Sequence, residues 1–165
     1  MKHVCFLSLG SNLNSRIENI EQAIVRLSNN YTVLKVSSFY ETDAWGYEDD
    51  LKYINCVVKI ETSVDVLSLL NGINLIEKIL GRDRKSKIKY IARIIDIDIL
   101  FYGHQIIDID ILHVPHKRLY QRNFVLEPLC EIAPHFICPK THKTVAKLLY
   151  ECTDKGKIAL FDTKK

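Results

Sequence analysis

The chain has 165 residues, 47 % of them hydrophobic, which is enough for one domain with a full core and no covalent staples. Its formal charge of +3 is too mild for a general nucleic-acid binder. The five cysteines are scattered and contain no Cys-x-x-Cys, which indicates a reducing, cytoplasmic setting and argues against a disulfide framework or a zinc ribbon.

The apolar run at 4–9 is a buried strand, ending at Gly10-Ser11-Asn12; it is too short for the core of a signal peptide. No segment is long enough to span a membrane. A helix follows, capped by Asn14 or Ser15, with Ile17, Ile20, Ile24 and Leu27 on one stripe. Residues 32–40 and 53–61 read as two strands, with a long loop at 42–52 between them. Ser63 is the expected cap of a second helix carrying Val66, Leu70, Ile73, Glu77 and Leu80 near one face, and Gly81 ends it. The basic segment 82–89 has no periodicity and reads as a loop. Residues 94–102 form the next strand, which Gly103-His104 turns into a hairpin with 105–110. Short helices are expected at 125–132 and 144–152, followed by a polar, loosely held tail from Thr153. Strand, helix, strand, strand, helix, strand is the split βαβ order, so the expected class is α+β: a ferredoxin-like sandwich with a mainly antiparallel sheet.

The most informative local feature is a repeat. Ile-Ile-Asp-Ile-Asp-Ile-Leu runs from Ile94 to Leu100 and again from Ile106 to Leu112. On a strand, Asp96 and Asp98 share one face while Ile95, Ile97 and Ile99 point into a core. Two like charges on a half-buried face are costly unless a cation neutralises them, and Mg²⁺ prefers one or two carboxylates plus phosphate oxygens. The alternative is an edge strand with an acidic solvent face. The basic stretch Arg82, Arg84, Lys85, Lys87, Lys89 and Arg93 just upstream favours the metal, because three of these are arginines able to grip phosphate bidentately. Asp108 and Asp110 lack that neighbourhood and read as a solvated hairpin strand. No Gly-x-x-x-x-Gly-Lys-Ser/Thr occurs, so any nucleoside triphosphate binds without a P-loop.

Tyr53 and Asn55 share a strand face, and an aromatic beside an amide suits a flat heterocycle. On their own they read rather as a core tyrosine and an edge asparagine; Phe124, Tyr40 and Trp45 carry the same two readings. His116, with Arg118 and Arg122 nearby, could donate to phosphate or simply occupy a surface turn. His3, His104, His113, His135 and His142 have no ligand spacing and read as structural. Asn74 and Glu77 share a helix face by the i, i+3 rule.

Taken in order, these residues resemble one family, the 6-hydroxymethyl-7,8-dihydropterin pyrophosphokinases of the folate pathway. The resemblance rests on Gly10-Ser11-Asn12-Leu13, Ser37-Ser38-Phe39-Tyr40-Glu41-Thr42, Tyr53-Ile54-Asn55, Glu77, and Gly81-Arg82 with Arg84. It continues through Arg93-Ile94-Ile95-Asp96-Ile97-Asp98-Ile99-Leu100, Val114-Pro115-His116, Arg122-Asn123-Phe124 and Pro128-Leu129-x-Glu131-Ile132-Ala133-Pro134. It implies transfer of the β,γ-diphosphate of ATP to the pterin hydroxymethyl oxygen, with release of AMP, by one domain over 1–165. It implies two Mg²⁺ ions on Asp96 and Asp98, and stabilisation of the transferring group by Arg82, Arg84 and Arg93. Asn74, Glu77, Tyr90, Ile99, His116 and Arg122 would lie along ATP. Tyr53 and Phe124 would sandwich the pterin, with Asn55, Thr42, Asp43, Trp45 and Asp96 around it. The hydroxyl proton would go to Asp98 or to bound water. A cytoplasmic monomer with no partner domain is expected.

The chain departs from the family pattern at several positions. Ile91-Ala92 stands where Gly-Pro is usual and Tyr90 where Trp is typical, in a loop one residue longer. Asp43-Ala44-Trp45 replaces a Pro-Pro-Leu type sequence, and Ile111 and Lys117 replace Arg and Tyr. None of these removes a chemically necessary group. Two rivals are a nucleic-acid-binding sandwich and another Mg²⁺-dependent nucleotidyl, glycosyl or phosphoryl transferase built on Asp-x-Asp. The first is opposed by carboxylates on the face where bases would stack.

Overall fold

The computed structural model describes residues 1–46, 51–82 and 94–162. Its elements are β1 (His3–Ser11), α1 (Arg16–Asn30), β2 (Thr32–Val36), β3 (Tyr40–Thr42), β4 (Tyr53–Thr62), α2 (Val66–Ile79), β5 (Asp96–Tyr102), β6 (Ile107–Ile109), β7 (Leu112–Val114), α3 (Asn123–Ile132), α4 (Val145–Glu151) and β8 (Ile158–Leu160). The main sheet runs β5-β1-β4-β3-β8, with β2 also on β4, and its pairings are antiparallel. This is the α+β, ferredoxin-like class expected from the element order.

Alternation along the strands divides the core in two. Cys5, Leu7 and Leu9 of β1, Ile54, Cys56 and Val58 of β4, and Ile97 and Ile99 of β5 pack with α1 and α2. Phe6, Val57, Leu100 and Phe101 pack on the opposite face, with α3 and α4. A β-bulge makes this possible. Phe6 pairs with Phe101 and Leu7 with Ile99, so Leu100 is the extra residue. Without it, Phe101 would follow Ile97 and Ile99 onto the first face. Further along the second face, Ser8, Gly10, Asn55, Asp96 and Asp98 replace apolar side chains, and the core stops there.

α2 ends in a Schellman turn. Gly81 takes φ +97°, Arg82 N–H donates to the Glu77 carbonyl at 2.9 Å, and Gly81 N–H donates to the Lys78 carbonyl at 3.1 Å. This turn folds Arg82 back over Glu77.

Several expectations are corrected. Residues 32–40 are not one strand. The ladder breaks at Ser37, whose hydroxyl accepts the Val57 N–H at 2.9 Å in place of a backbone carbonyl. The cap of α2 is Asp65, not Ser63; its carboxylate accepts from Leu67 and Ser68 N–H, both at 3.0 Å. Ser15 precedes α1 but makes no side-chain cap bond. The second Ile-Asp-Ile-Asp copy does not pair with the first: β6 forms a separate two-stranded sheet with β7, while β5 borders β1. The tail is not loose throughout, because β8 pairs with β3. The segment at 83–89 lies outside the described residues.

Candidate active site

Three neighbouring strands build the site. Asp96 of β5 pairs with Gly10 of β1, and Gly10 pairs with Asn55 of β4; Asp98 pairs with Ser8 in the next row on the same face. At about 4.8 Å per strand spacing, Asp96 and Asn55 stand roughly 10 Å apart with no side chain between them. Gly10 is required for this, since a Cβ there would come within 2.9 Å of Asn55 Oδ1 and 3.8 Å of Tyr53 Cδ1. Asn55 is 4 % exposed and donates through Nδ2 to Thr42 Oγ1 at 2.8 Å.

The carboxylate end is held by cations. Arg82 Nη1 donates to Asp96 Oδ1 at 2.6 Å and also to Glu77 Oε1. Glu77 is fully buried and its Oε1 accepts the Ile97 N–H at 2.8 Å, so α2, its terminal turn and β5 meet at one carboxylate. Asp98 faces Arg122 Nη1 at 3.6 Å and His116 Nε2 at 3.7 Å. Burial, followed by the charge of Asp96, pushes the Asp98 carboxyl up to about 7, against the pull of Arg122. His116 follows Pro115 along the outer edge of β5, its N–H donating to the Leu100 carbonyl at 3.2 Å. Burial and Arg122 lower its pKa to about 4, so it is neutral at physiological pH. Its Nδ1 accepts the Arg118 N–H at 3.2 Å, which assigns the ring proton to Nε2, pointing at the Asp98 side. At 3.7 Å that proton is not committed to Asp98 and could serve a phosphate oxygen.

A third group is aromatic. The Arg122 guanidinium lies 4.9 Å from the Trp45 ring centre and 5.6 Å from that of Phe124, and the two rings are 6.5 Å apart. Arg118 stacks on Trp45 as well, at 5.8 Å. Arg122 thus joins the aromatic end to Asp98.

The structure brings together Asp96, Asp98, Glu77, Arg82, His116 and Arg122, and beside them Asn55, Thr42, Tyr53, Trp45 and Phe124. Asn74 lies one helical turn before Glu77, and its buried Oδ1 has no hydrogen-bond partner among the described residues. Asp43 is exposed at the end of β3. The Ile99 side chain is in the core, 3 % exposed, so any contact it makes to a nucleotide falls to its main chain. Arg84, Tyr90 and Arg93 lie outside the described residues. Asp108 is solvent-facing and pairs with His113 Nδ1 at 2.5 Å. Glu131, which sequence reading did not assign a role, accepts from Ser38 N–H at 2.9 Å, Ser38 Oγ at 3.0 Å and Tyr40 OH at 2.7 Å. It thereby ties α3 to the start of β3. Among the described residues, no three His, Cys, Asp or Glu side chains are arranged to hold a metal ion by themselves. Two all-oxygen ligands, Asp96 and Asp98, fit a hard cation that draws its remaining ligands from phosphate and water.

The family model for 7,8-dihydro-6-hydroxymethylpterin-pyrophosphokinase matches residues 6–134. The chain belongs to this family. It is 42 % identical over 134 residues to the 2-amino-4-hydroxy-6-hydroxymethyldihydropteridine pyrophosphokinase of Bacillus subtilis, covering 80 % of this chain and 79 % of the relative. It is 40 % identical over 150 residues to the enzyme of that name from Aquifex aeolicus, covering 91 % and 92 %. Membership makes it a transferase, a pyrophosphokinase of folate biosynthesis, and disfavours the other Asp-x-Asp transferases. A crystal structure of Plasmodium falciparum HPPK-DHPS with pteroate superposes with a TM-score of 0.73 at 17 % identity. The match covers 92 % of this chain and 44 % of that one, and supports the pyrophosphokinase fold. Among the described residues no helix is long and apolar enough to cross a membrane.

Proposed function

We propose that residues 1–165 act as one domain, moving the terminal diphosphate of ATP onto the hydroxymethyl oxygen of 6-hydroxymethyl-7,8-dihydropterin and releasing AMP. The observation that carries this reading is the row Asp96–Gly10–Asn55, which sets a metal-type carboxylate and an amide on either side of a gap. The amide end suits the pterin. Asn55 and Thr42 offer donors and acceptors to its edge, while Tyr53, Phe124 and Trp45 offer ring faces, with Asp43 at the rim. The carboxylate end suits the triphosphate. Asp96 and Asp98 would hold two Mg²⁺ ions, which supply charge neutralisation and alignment of an in-line displacement. Arg122 and the Nε2–H of His116 reach phosphate oxygens beside Asp98, and Asn74 and Glu77 line the helix side. Arg82 stabilises charge on the transferring group, with Arg84 and Arg93 assigned the same role by family resemblance. Tyr90 and the main chain of Ile99 are assigned to the nucleotide on the same ground. The hydroxyl proton would go to Asp98 or to bound water.

The test is incubation with ATP, Mg²⁺ and the pterin, with nucleotide products resolved. AMP formed in step with a diphosphorylated pterin, and abolished by Asp96→Ala, supports the reading. ADP as product, or no pterin-dependent turnover, refutes it. Full turnover by Asp98→Asn would exclude that side chain as the essential base.

A further inference from the structure

The segment after α4 is bonded at both ends to the aromatic and amide walls described above. α3 begins without a cap of its own, since Arg122 at the cap position makes no side-chain bond to the helix. Asp154 supplies the acceptor from a distance: its Oδ2 accepts the Asn123 N–H at 3.0 Å, while Oδ1 accepts the Gly156 N–H at 2.9 Å. Asn123 Nδ2 in turn donates to the Gly156 carbonyl at 2.8 Å. A carboxylate at a helix N-terminus is also favoured by the helix dipole. Further on, β8 pairs with β3 in the register Tyr40↔Leu160, Glu41↔Ala159 and Thr42↔Ile158, and Phe161 N–H donates to the Phe39 carbonyl at 2.8 Å. The strap therefore holds the residue before Phe124 at one end and Thr42 at the other.

We propose that residues 154–161 are a positioning strap for the pterin pocket and that Asp154 is its key positioning residue, setting the start of α3, and with it Phe124, relative to β3. This rests on the assignment of Phe124 and Thr42 to the pterin. Both carboxylate oxygens of Asp154 are used, so an amide at 154, with one acceptor oxygen, can keep only one of the two bonds. The strap makes no contact with Asp96, Asp98, Arg82 or His116 in the bonds above. Arg122, next to Asn123, is the one phosphate-side group that adjoins the strap, so loss of Asp154 should act more strongly on the acceptor than on the nucleotide.

The experiment compares Asp154→Asn and Asn123→Ala with the wild type in steady-state turnover, with binding of a Mg²⁺-loaded non-hydrolysable ATP analogue and thermal melting alongside. Asn123→Ala removes the bond to Gly156 but leaves the backbone cap. The expected result is a roughly fivefold to thirtyfold rise in pterin KM for Asp154→Asn and a smaller rise for Asn123→Ala. kcat at saturating pterin should stay close to wild type, analogue affinity should change far less than pterin KM, and Asp154→Asn should melt only a few degrees lower through loss of the cap bond. An unchanged pterin KM in both variants would overturn the proposal, as would a parallel loss of nucleotide binding. A wild-type protein with no pterin turnover would instead refute the acceptor assignment, and the strap with it.

Discussion

Arg82 donates to Asp96 at 2.6 Å while also engaging the fully buried Glu77, so a guanidinium bonds one of the two carboxylates proposed to hold Mg²⁺. Arg82→Ala leaves buried negative charge without that partner, a loss on the order of 3 kcal/mol. Added Mg²⁺ should raise the melting temperature of Arg82→Ala more than that of the wild type, because the cation then replaces the lost charge at Asp96. Calorimetry of both proteins with and without Mg²⁺ checks this; equal increments would mean that Arg82 does not compete for the site.

Asp98 titrates higher than a free carboxyl. Folded, it holds its proton up to about 7, whereas an unfolded aspartate loses it near ~3.9. Its contribution to stability is therefore fully present below the unfolded value and is lost as pH rises through the folded one. The side chain keeps 35 % of its surface exposed, so solvent moderates the size of the effect. Asparagine cannot ionise. Without divalent cations, the melting temperature of Asp98→Asn should gain on that of the wild type between pH 5 and pH 8. Mg²⁺ at pH 8 should reverse the order. A difference that is flat with pH would contradict the assignment.

A methyl group at Gly10 would meet Asn55 Oδ1 at 2.9 Å and stand in the gap between the amide and carboxylate ends. Gly10→Ala should cost about 1–3 kcal/mol through crowding. It should also raise pterin KM by roughly tenfold or more, with nucleotide affinity changed far less. Equal KM values for pterin in the two proteins would show that the gap is not where the acceptor lies.

Gly81 carries a positive φ, and a Cβ there would approach Ile94 Cδ1 to 3.1 Å. Gly81→Ala should lose about 1 kcal/mol, a melting shift of roughly 3 °C. Because the same turn places Arg82, turnover should fall more than stability alone explains. A melting shift with wild-type kcat would separate the turn from the chemistry.

Much of this was legible in the chain because it depends on local rules. The stripes of α1 and α2 follow apolar spacing, and the shared face of Asp96 and Asp98 follows strand alternation. What was not legible depends on distant partners. The three residues of β8 look like polar tail until the edge of β3 is available to them. The likeness of the two Ile-Asp-Ile-Asp runs suggested that they pair, but composition does not choose partners: 107–109 closes locally on 112–114. Ser63 and Asp65 are both good cap residues, and only the start of the helix at Val66 decides between them. In the site, Glu77 and Arg82 could be named singly, but their junction with Asp96 requires the turn at Gly81. Glu131 stands in a motif of the family resemblance, but its role, like that of Asp154, was not legible, since each acts on a residue at least 31 positions away.

Trp45 is the only tryptophan in the chain, and the guanidiniums of Arg118 and Arg122 and the ring of Phe124 all lie close to it. Its ultraviolet emission therefore comes from one place, the junction of the two proposed substrate halves. A change in its intensity or wavelength during a titration would report occupancy there without any added dye, and the order in which nucleotide and pterin perturb it would reveal which of them arrives first.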